Sequence, residues 1–134
     1  MKKIKIGDTE MELGKFHPCL VYNNDLGTLS VHLRDCSIRE DRITRMFDAL
    51  FDNHPKKKKS SYVGFNLHGI RKMLHDQGYT KSSISLKNLI ERFDKHYYPR
   101  QHMPIGLNLK IYDYHKKHAL EVARKHQLVW WIPE

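Results

Sequence analysis

The spacing of the hydrophobic residues changes from an alternating to a helical pattern near residue 69 of this 134-residue chain. Leu29, Val31 and Leu33 alternate with polar residues, as expected for a β-strand with one buried face. Beyond residue 69, apolar residues recur three and four positions apart, which is the repeat of an amphipathic helix. This change predicts an α+β protein in which an N-terminal antiparallel sheet precedes a mainly helical part.

Residues 1–68 are expected to be mainly strands, with about four antiparallel strands in a meander. Short apolar or alternating runs are separated by turn-forming residues such as Gly7-Asp8 and Asn23-Asn24. A further run at 62–67 has apolar residues at every second position. The predicted sheet therefore extends to the change in pattern.

Residues 37–53 fit two structures. Ser37 followed by Glu40 is a capping box, and Ile43, Met46 and Phe47 fall at helical spacing. Phe47, Ala49 and Phe51 alternate with Met46, Asp48, Leu50 and Asp52, which would suit a strand instead. We favour a helix that gives way to a strand near Met46.

Residues 69–134 form the basic, mainly helical part of what we expect to be a single domain, 1–134. The predicted elements are a helix from Ile70 to a cap at Gly78, a helix from Ser82-Ser83 to a stop at Pro99, a helix over about 110–127 and a closing strand over 128–132. In that strand Trp130 and Trp131 point to opposite sides, so at most one of them can enter the core.

The positive charge is concentrated in the second half of the chain. Residues 1–53 contain 8 Lys/Arg and 9 Asp/Glu, residues 54–127 contain 16 and 5, and the net charge is +9. Such asymmetry is typical of proteins that bind a polyanion. We therefore expect nucleic acid or an acidic protein as partner, although a generally solvated lysine-rich surface would have the same composition.

The cysteines and the apolar runs indicate the cellular compartment. Cys19 and Cys36 form neither a CxxC pair nor a disulfide framework, which favours reduced thiols. The longest strongly apolar run, 128–132, is far too short to cross a bilayer, and no apolar stretch follows the N-terminal lysines. We expect a cytoplasmic protein without membrane contact. The sequence leaves its oligomeric state open.

Two strand motifs resemble a known group of proteins. Residues 29–35 read LSVHLRD and residues 63–69 read VGFNLHG. Over residues 28–74 the chain resembles small uncharacterised bacterial β-rich domains, in which a strand L-x-V-x-L-x-D precedes a hairpin ending in V-G-x-x-I-x-G before a helix. The resemblance implies a sheet and no activity.

A second resemblance spans residues 52–75. With a strand over 47–51, the order becomes strand, His54, basic loop, strand with Asn66, and helix with His75. This order is similar to the ββα-metal element of the His-Asn-His nucleases, which cleave phosphodiesters with a general base and a divalent ion. The resemblance implies that His54 is the base, that Asn66 orients it, and that Asp52 and His75 bind the metal.

Parts of that nuclease pattern are missing. Asn53 separates the acidic residue from His54, and lysines replace the paired glycines of the family's loop. His115 and His118 are a separate pair, three residues apart on the last predicted helix, but the lysines between them favour a solvated helix face over a metal site. We therefore expect no cofactor and favour a role other than catalysis, with a divalent metal only under the nuclease hypothesis.

The preferred interpretation is a small nucleic-acid-binding protein that acts through a lysine- and arginine-rich surface. Basic side chains bind phosphates and release counterions, which makes such binding sensitive to salt. The predicted phosphate contacts are Lys56, Lys57, Lys58, Lys59, Arg71, Lys72, Lys81 and Lys87. The segment 95–102 also interleaves basic and aromatic residues, as single-strand stacking surfaces do.

Two further hypotheses stay open. A helix-turn-helix could be formed by 70–77 and 83–97, with Lys81, Ser82 and Lys87 near the bases at the start of the second helix. A compact basic protein without a phosphate-binding glycine loop could also be a phage- or mobile-element-type protein that inhibits a host factor by direct contact.

Overall fold

Nine strands and three helices make up the part of the chain that the computed structural model describes, which is residues 3–6, 9–12, 18–34, 36–53, 62–99 and 109–133, with backbone only for 3–12 and 109. In chain order the elements are β1 (Lys3–Ile6), β2 (Thr9–Glu12), β3 (Cys19–Asn23), β4 (Thr28–His32), β5 (Ile38–Thr44), β6 (Phe47–Asp52), β7 (Tyr62–His68), α1 (Ile70–Asp76), β8 (Ser83–Ser85), α2 (Leu86–Tyr97), α3 (Leu109–His126) and β9 (Val129–Trp131). The predicted α+β architecture, with an N-terminal antiparallel sheet, three helices and a short closing strand, is confirmed.

The central sheet has five antiparallel strands in the order β3-β4-β7-β6-β5. Two hairpins, β3–β4 and β5–β6, lie on either side of β7, which pairs with β4 and with β6. The strand order is therefore more interlaced than a simple meander. Two smaller antiparallel pairs, β1–β2 and β8–β9, complete the described strands.

One face of the central sheet carries the core. Leu29 and Val31 of β4, Phe65 and Leu67 of β7 and Phe47 of β6 lie side by side in register and are at most 1% exposed. Against them pack apolar side chains from all three helices, namely Ile70, Met73, Leu74, Leu86, Leu89, Ile90, Phe93, Tyr112, Ala119 and Ala123. The other sheet face, which we call the open face, carries polar residues from the alternate positions.

The expectation of a helix within residues 37–53 was wrong. Residues 38–44 and 47–52 form the β5–β6 hairpin around a turn at Arg45-Met46. The alternation from Phe47 onwards was the better signal, because it places Phe47 and Ala49 in the core and Asp48 on the open face. Pairing of β6 with β7 outweighs the local capping box at Ser37, since propensity is weak against tertiary pairing.

The second helix begins later than expected. Residues 83–85 form β8, paired with β9, and Ser85 then caps α2 by accepting a hydrogen bond from the Asn88 amide at 3.2 Å. A strand thus interrupts the proposed helix-turn-helix. Lys81 and Ser82 precede this strand instead of starting a recognition helix, so the helix-turn-helix geometry is not formed.

The boundaries of the other helical elements agree closely with the sequence pattern. The first helix ends before Gly78, whose φ of 69° allows the left-handed conformation of a C-terminal cap. The third spans Leu109–His126, and β9 follows at once. Among the described residues, no helix is both long and apolar enough to cross a membrane.

Candidate nucleic-acid interface

The predicted phosphate contacts fall in three places. Lys56–Lys59 lie outside the described residues. Arg71 and Lys72 are exposed on α1, on the side turned away from the core. Lys81 is exposed just before β8, and Lys87 is exposed in the first turn of α2. Lys87 also lines two adjoining hollows of the described surface.

The depression at Lys87 lies between α2 and α3 and continues along α3, whose residues line its far end. Three adjoining hollows of about 410, 280 and 250 Å³ share lining residues from one to the next. The first two share Lys87 and Arg124, and the second and third share Lys117 and Glu121. We call this continuous surface the α2–α3 groove.

Helical spacing explains why α3 forms one wall of the groove. Tyr114, Lys117, His118, Glu121 and Arg124 recur at three- and four-residue intervals and therefore share one face of the helix. Tyr112, His115, Ala119 and Ala123 occupy the buried face. The sequence pattern that buries α3 thus also presents the groove residues to solvent.

The first half of α2 forms the opposite wall. Leu86, Leu89 and Ile90 enter the core, which leaves Lys87 and Glu91 on the outer side, one turn apart. The amides at the start of the helix are already used, because Leu86 N donates to Leu128 O at 2.8 Å and Asn88 N donates to Ser85 Oγ. The positive charge at this end of the groove therefore comes mainly from side chains.

Three cations and two carboxylates line the groove. We call Lys87, Lys117 and Arg124 the groove cations; they face Glu91 and Glu121. The groove cations exceed the carboxylates by one charge. Two further lysines are exposed nearby in sequence: Lys81 shortly before β8, and Lys125 next to Arg124 on α3. This arrangement suits phosphate groups better than neutral ligands, because each phosphate brings one negative charge to a lysine or arginine.

An exposed tryptophan lies beside the end of the groove. Trp130 faces inward, 4% exposed, with its ring 5.1 Å from that of Tyr22, whereas Trp131 is 72% exposed. Strand alternation places Trp131 on the same side of β9 as Val129, which lines the first hollow. The division of the two tryptophans between core and surface agrees with the sequence prediction.

The other end of the groove is a cluster of tyrosines and histidines. Tyr114 is 65% exposed and contacts His118, with ring centroids 5.9 Å apart. His118 meets the ring of Tyr62 edge-on at 4.6 Å, and His115 lies behind them at 6.2 Å from Tyr62. Sequence reasoning singled out the histidines and missed Tyr114, although the three-residue spacing from Tyr114 to Lys117 was visible.

Burial controls protonation in this cluster. Burial lowers the pKa of His115, the nearby His118 lowers it further, and Asp41 partly offsets both. Burial raises the pKa of Tyr62, with Tyr114 adding to the shift. The His115 Nδ1 atom and the Tyr62 hydroxyl are buried without a hydrogen-bond partner among the described residues, so the neutral forms are the favoured ones.

The basic and aromatic segment at 95–102 divides between core and surface. Tyr97 donates a hydrogen bond to Gly69 O at 2.6 Å, and the buried Tyr98 is hydrogen-bonded to Thr44. Both tyrosines are thus engaged inside the fold, while Lys95 is exposed. Residues 100–102 lie outside the described residues.

The described residues of the nuclease hypothesis are not gathered at one place. The predicted order β6, β7, α1 is present, but His54 lies outside the described residues. Asp52 is buried and pairs with Arg34 at 3.7 Å, and Asn66 faces the open side of the sheet. His75 projects from α1 with its side chain 90% exposed, on the sheet side that carries the core.

The described residues contain no group of three or more potential metal ligands. His115 and His118 therefore lack a third ligand in this part of the chain. The described geometry of Asp52, Asn66 and His75 gives no support to a shared metal.

A polar network on the open face was not foreseen. The Asp48 carboxylate, 3% exposed, accepts hydrogen bonds from Arg42 Nε at 2.8 Å and Asn66 Nδ2 at 3.1 Å, and lies 2.6 Å from His68 Nε2. The other ring nitrogen of His68 is 2.8 Å from the Thr28 hydroxyl. An acidic residue between two core positions, Phe47 and Ala49, was the available signal.

Comparisons of the chain with protein-family models, with curated proteins and with solved structures found no match. The local resemblances noted in the sequence thus assign no family. The evidence for function therefore lies in the surface chemistry of the described residues.

Proposed function

We propose that the protein binds nucleic acid through the α2–α3 groove. The proposal rests chiefly on one observation, that three basic side chains line a continuous groove beside a largely exposed tryptophan. Cations in a groove concentrate positive potential, which attracts a phosphate backbone and holds it by charge-assisted contacts. Lys81 and Lys87 keep the role expected from the sequence, and Lys117 and Arg124 join them.

A polyphosphate backbone fits this groove better than an acidic protein does. The two carboxylates of the groove, Glu91 and Glu121, alternate with the cations along the walls. A flexible nucleic-acid backbone with regularly spaced charges can contact the cations one after another while the carboxylates stay hydrated. An acidic protein that uses the same surface, the second hypothesis from the sequence, is an outcome of the test below.

The test is binding of fluorescein-labelled single-stranded DNA and RNA, measured by anisotropy at several salt concentrations. The variant Lys87→Gln/Arg124→Gln removes two groove cations. We expect its affinity to fall at least about fivefold and the slope of log K against log salt to fall by about 1.4, since each phosphate contact to a single strand contributes about 0.7.

The matched control is Arg45→Gln/Lys95→Gln, which removes the same charge from two exposed positions outside the groove. Equal losses in the two double variants would mean that net charge alone is responsible and would refute the groove. Absence of binding to every nucleic acid at low salt, together with capture of an acidic protein that persists after nuclease treatment, would favour the interaction-protein hypothesis instead.

The remaining basic residues of the sequence prediction are tested in the same assay. Reversal of Lys56–Lys59 to glutamate and the variant Arg71→Gln/Lys72→Gln each address one further surface. A loss in either, beyond that of the Arg45→Gln/Lys95→Gln control, would extend the interface to that surface. Cleavage of the labelled strand with Mg²⁺ or Mn²⁺, lost in His54→Ala, would restore the nuclease hypothesis.

A further inference from the structure

The α2–α3 groove has an exposed aromatic ring at each end. Trp131 is 72% exposed and lies on β9 two residues after Val129, which lines the first hollow, and Tyr114, which lines the third, is 65% exposed. Large aromatic rings on a monomer's surface leave apolar area in water, which a ligand with flat apolar faces can cover. We call Trp131 and Tyr114 the end rings.

Secondary structure fixes the backbone that carries each end ring. Trp131 stands on β9, whose backbone pairs with β8 at Ser83, and the Ile132 amide donates to Ser82 O at 2.9 Å. Tyr114 lies in the second turn of α3 and packs against His115, with ring centroids 5.3 Å apart. A fixed backbone at both positions lowers the entropy lost when a base stacks on the rings.

The groove cations lie between the end rings. From Tyr114 to Gln127, which lines the first hollow, α3 advances 13 residues, or about 20 Å at 1.5 Å per residue. Lys117 and Arg124 occur along this path, and Lys87 faces them from α2. A strand with phosphates about 3.4 Å apart would place about six nucleotides over the same length, and an extended strand would place fewer.

We propose that the groove selects single-stranded nucleic acid, with unpaired bases stacked on the two end rings and the intervening phosphates bound by the groove cations. This inference rests on the proposed function and adds the class of ligand. Unpaired bases expose their flat faces, whereas a duplex keeps its base faces inside the stack and offers the rings only sugars and phosphates. Stacking accepts any base, so little sequence preference is expected.

The experiment compares labelled oligothymidylates of about 4, 8 and 16 nucleotides with a duplex of matched length, using the full chain. We expect affinity to rise steeply between the two shorter strands and to level off beyond the groove's length. Trp131→Ala and Tyr114→Ala should each weaken single-strand binding roughly 5- to 100-fold and leave duplex binding unchanged. Trp131→Phe should retain most of the affinity, because a phenyl ring still stacks.

Leu26→Ala is the matched control for loss of an exposed apolar side chain. Leu26 is 73% exposed in the β3–β4 turn and does not line the groove, so this variant should bind like the parent. Circular dichroism and thermal unfolding check that the end-ring variants remain folded, as their exposure predicts.

Other outcomes separate this inference from the proposed function. Equal affinity for duplex and single strand, or unchanged single-strand binding in both alanine variants, would overturn the single-strand inference while leaving a basic nucleic-acid surface. Binding of polyglutamate as tight as that of oligothymidylate would also overturn it, because charge alone would then suffice. No binding of any nucleic acid would overturn both proposals.

Discussion

The Nε2 atom of His68 lies 2.6 Å from the Oδ2 atom of Asp48, on the open face of the central sheet. The contact joins β7 to β6 and continues to Thr28 on β4 through the second ring nitrogen of His68. Arg42 of β5 completes the network, with its Nε atom 2.8 Å from Asp48 Oδ1. Four neighbouring strands of the sheet are thus tied together by polar side chains opposite the hydrophobic core.

Replacement of Asp48 by alanine should therefore destabilise the fold. The change removes the carboxylate partner of the His68 ring and one of the two acceptors of the buried Asn66 amide, which keeps Glu40 Oε1 at 3.2 Å. Arg42 can turn to solvent because its side chain is 62% exposed. We expect the free energy of unfolding to fall by about 2–3 kcal/mol, measured by urea denaturation. Asp25→Ala, at an exposed turn, should change it by less than about 0.5 kcal/mol. Equal effects at both sites would contradict a structural role for the network.

The adjacent tryptophans should differ sharply in their effect on stability. Trp130→Ala opens a cavity in the core beside Tyr22 and should cost about 3–5 kcal/mol, whereas Trp131→Ala removes a mostly solvated ring and should cost less than about 0.5 kcal/mol. Denaturant unfolding measures both. A large loss of stability in Trp131→Ala would mean that its ring packs within the fold and is not free to stack on a ligand.

The sequence was informative where a pattern is local. Alternation around Leu29–Leu33 predicted β4, and the helical pattern beyond residue 69 predicted α3. The β5 strand was missed because the capping box at Ser37 indicates a helix locally, whereas β6, the strand with which β5 forms a hairpin, is held by pairing with the more distant β7. The groove escaped prediction for the same reason, since Lys87 meets Lys117 and Arg124 only after α2 packs on α3.

Protonation of His115 should make the stability depend on pH. Burial and His118 lower the folded-state pKa below the ordinary value of 6.5, so between the two values the unfolded chain binds more protons. The contribution of His115 to the free energy of unfolding is fully present above about pH 6.5. It decreases as the pH falls from 6.5 to the lowered folded-state pKa, and it levels off below that pKa. His115→Gln should remove this part of the slope when unfolding is measured from pH 7.5 to 4.5.

His75→Gln is the control for that experiment, because it replaces a histidine whose side chain is 90% exposed. The two variants are compared by the slope of the free energy of unfolding against pH, because a buried glutamine can add a loss of stability that is the same at every pH. A slope in His115→Gln equal to that of the parent protein would show that the residue does not titrate differently in the two states.

The last prediction concerns Gly64, at the centre of β7. Its φ is +151°, and a Cβ atom there would lie 1.9 Å from the carbonyl oxygen of Val31 on the neighbouring strand. Backbone atoms paired in a sheet cannot move aside without loss of the hydrogen-bond ladder, so Gly64→Ala should lower the free energy of unfolding by more than about 3 kcal/mol or prevent folding.

Gly78→Ala is the matched comparison: its φ is also positive, +69°, but a Cβ there meets nothing within 4 Å. It should cost only about 1 kcal/mol in thermal or denaturant unfolding, the usual penalty of the left-handed conformation. Similar stability for the two alanine variants would mean that β4 and β7 are not held at the described separation.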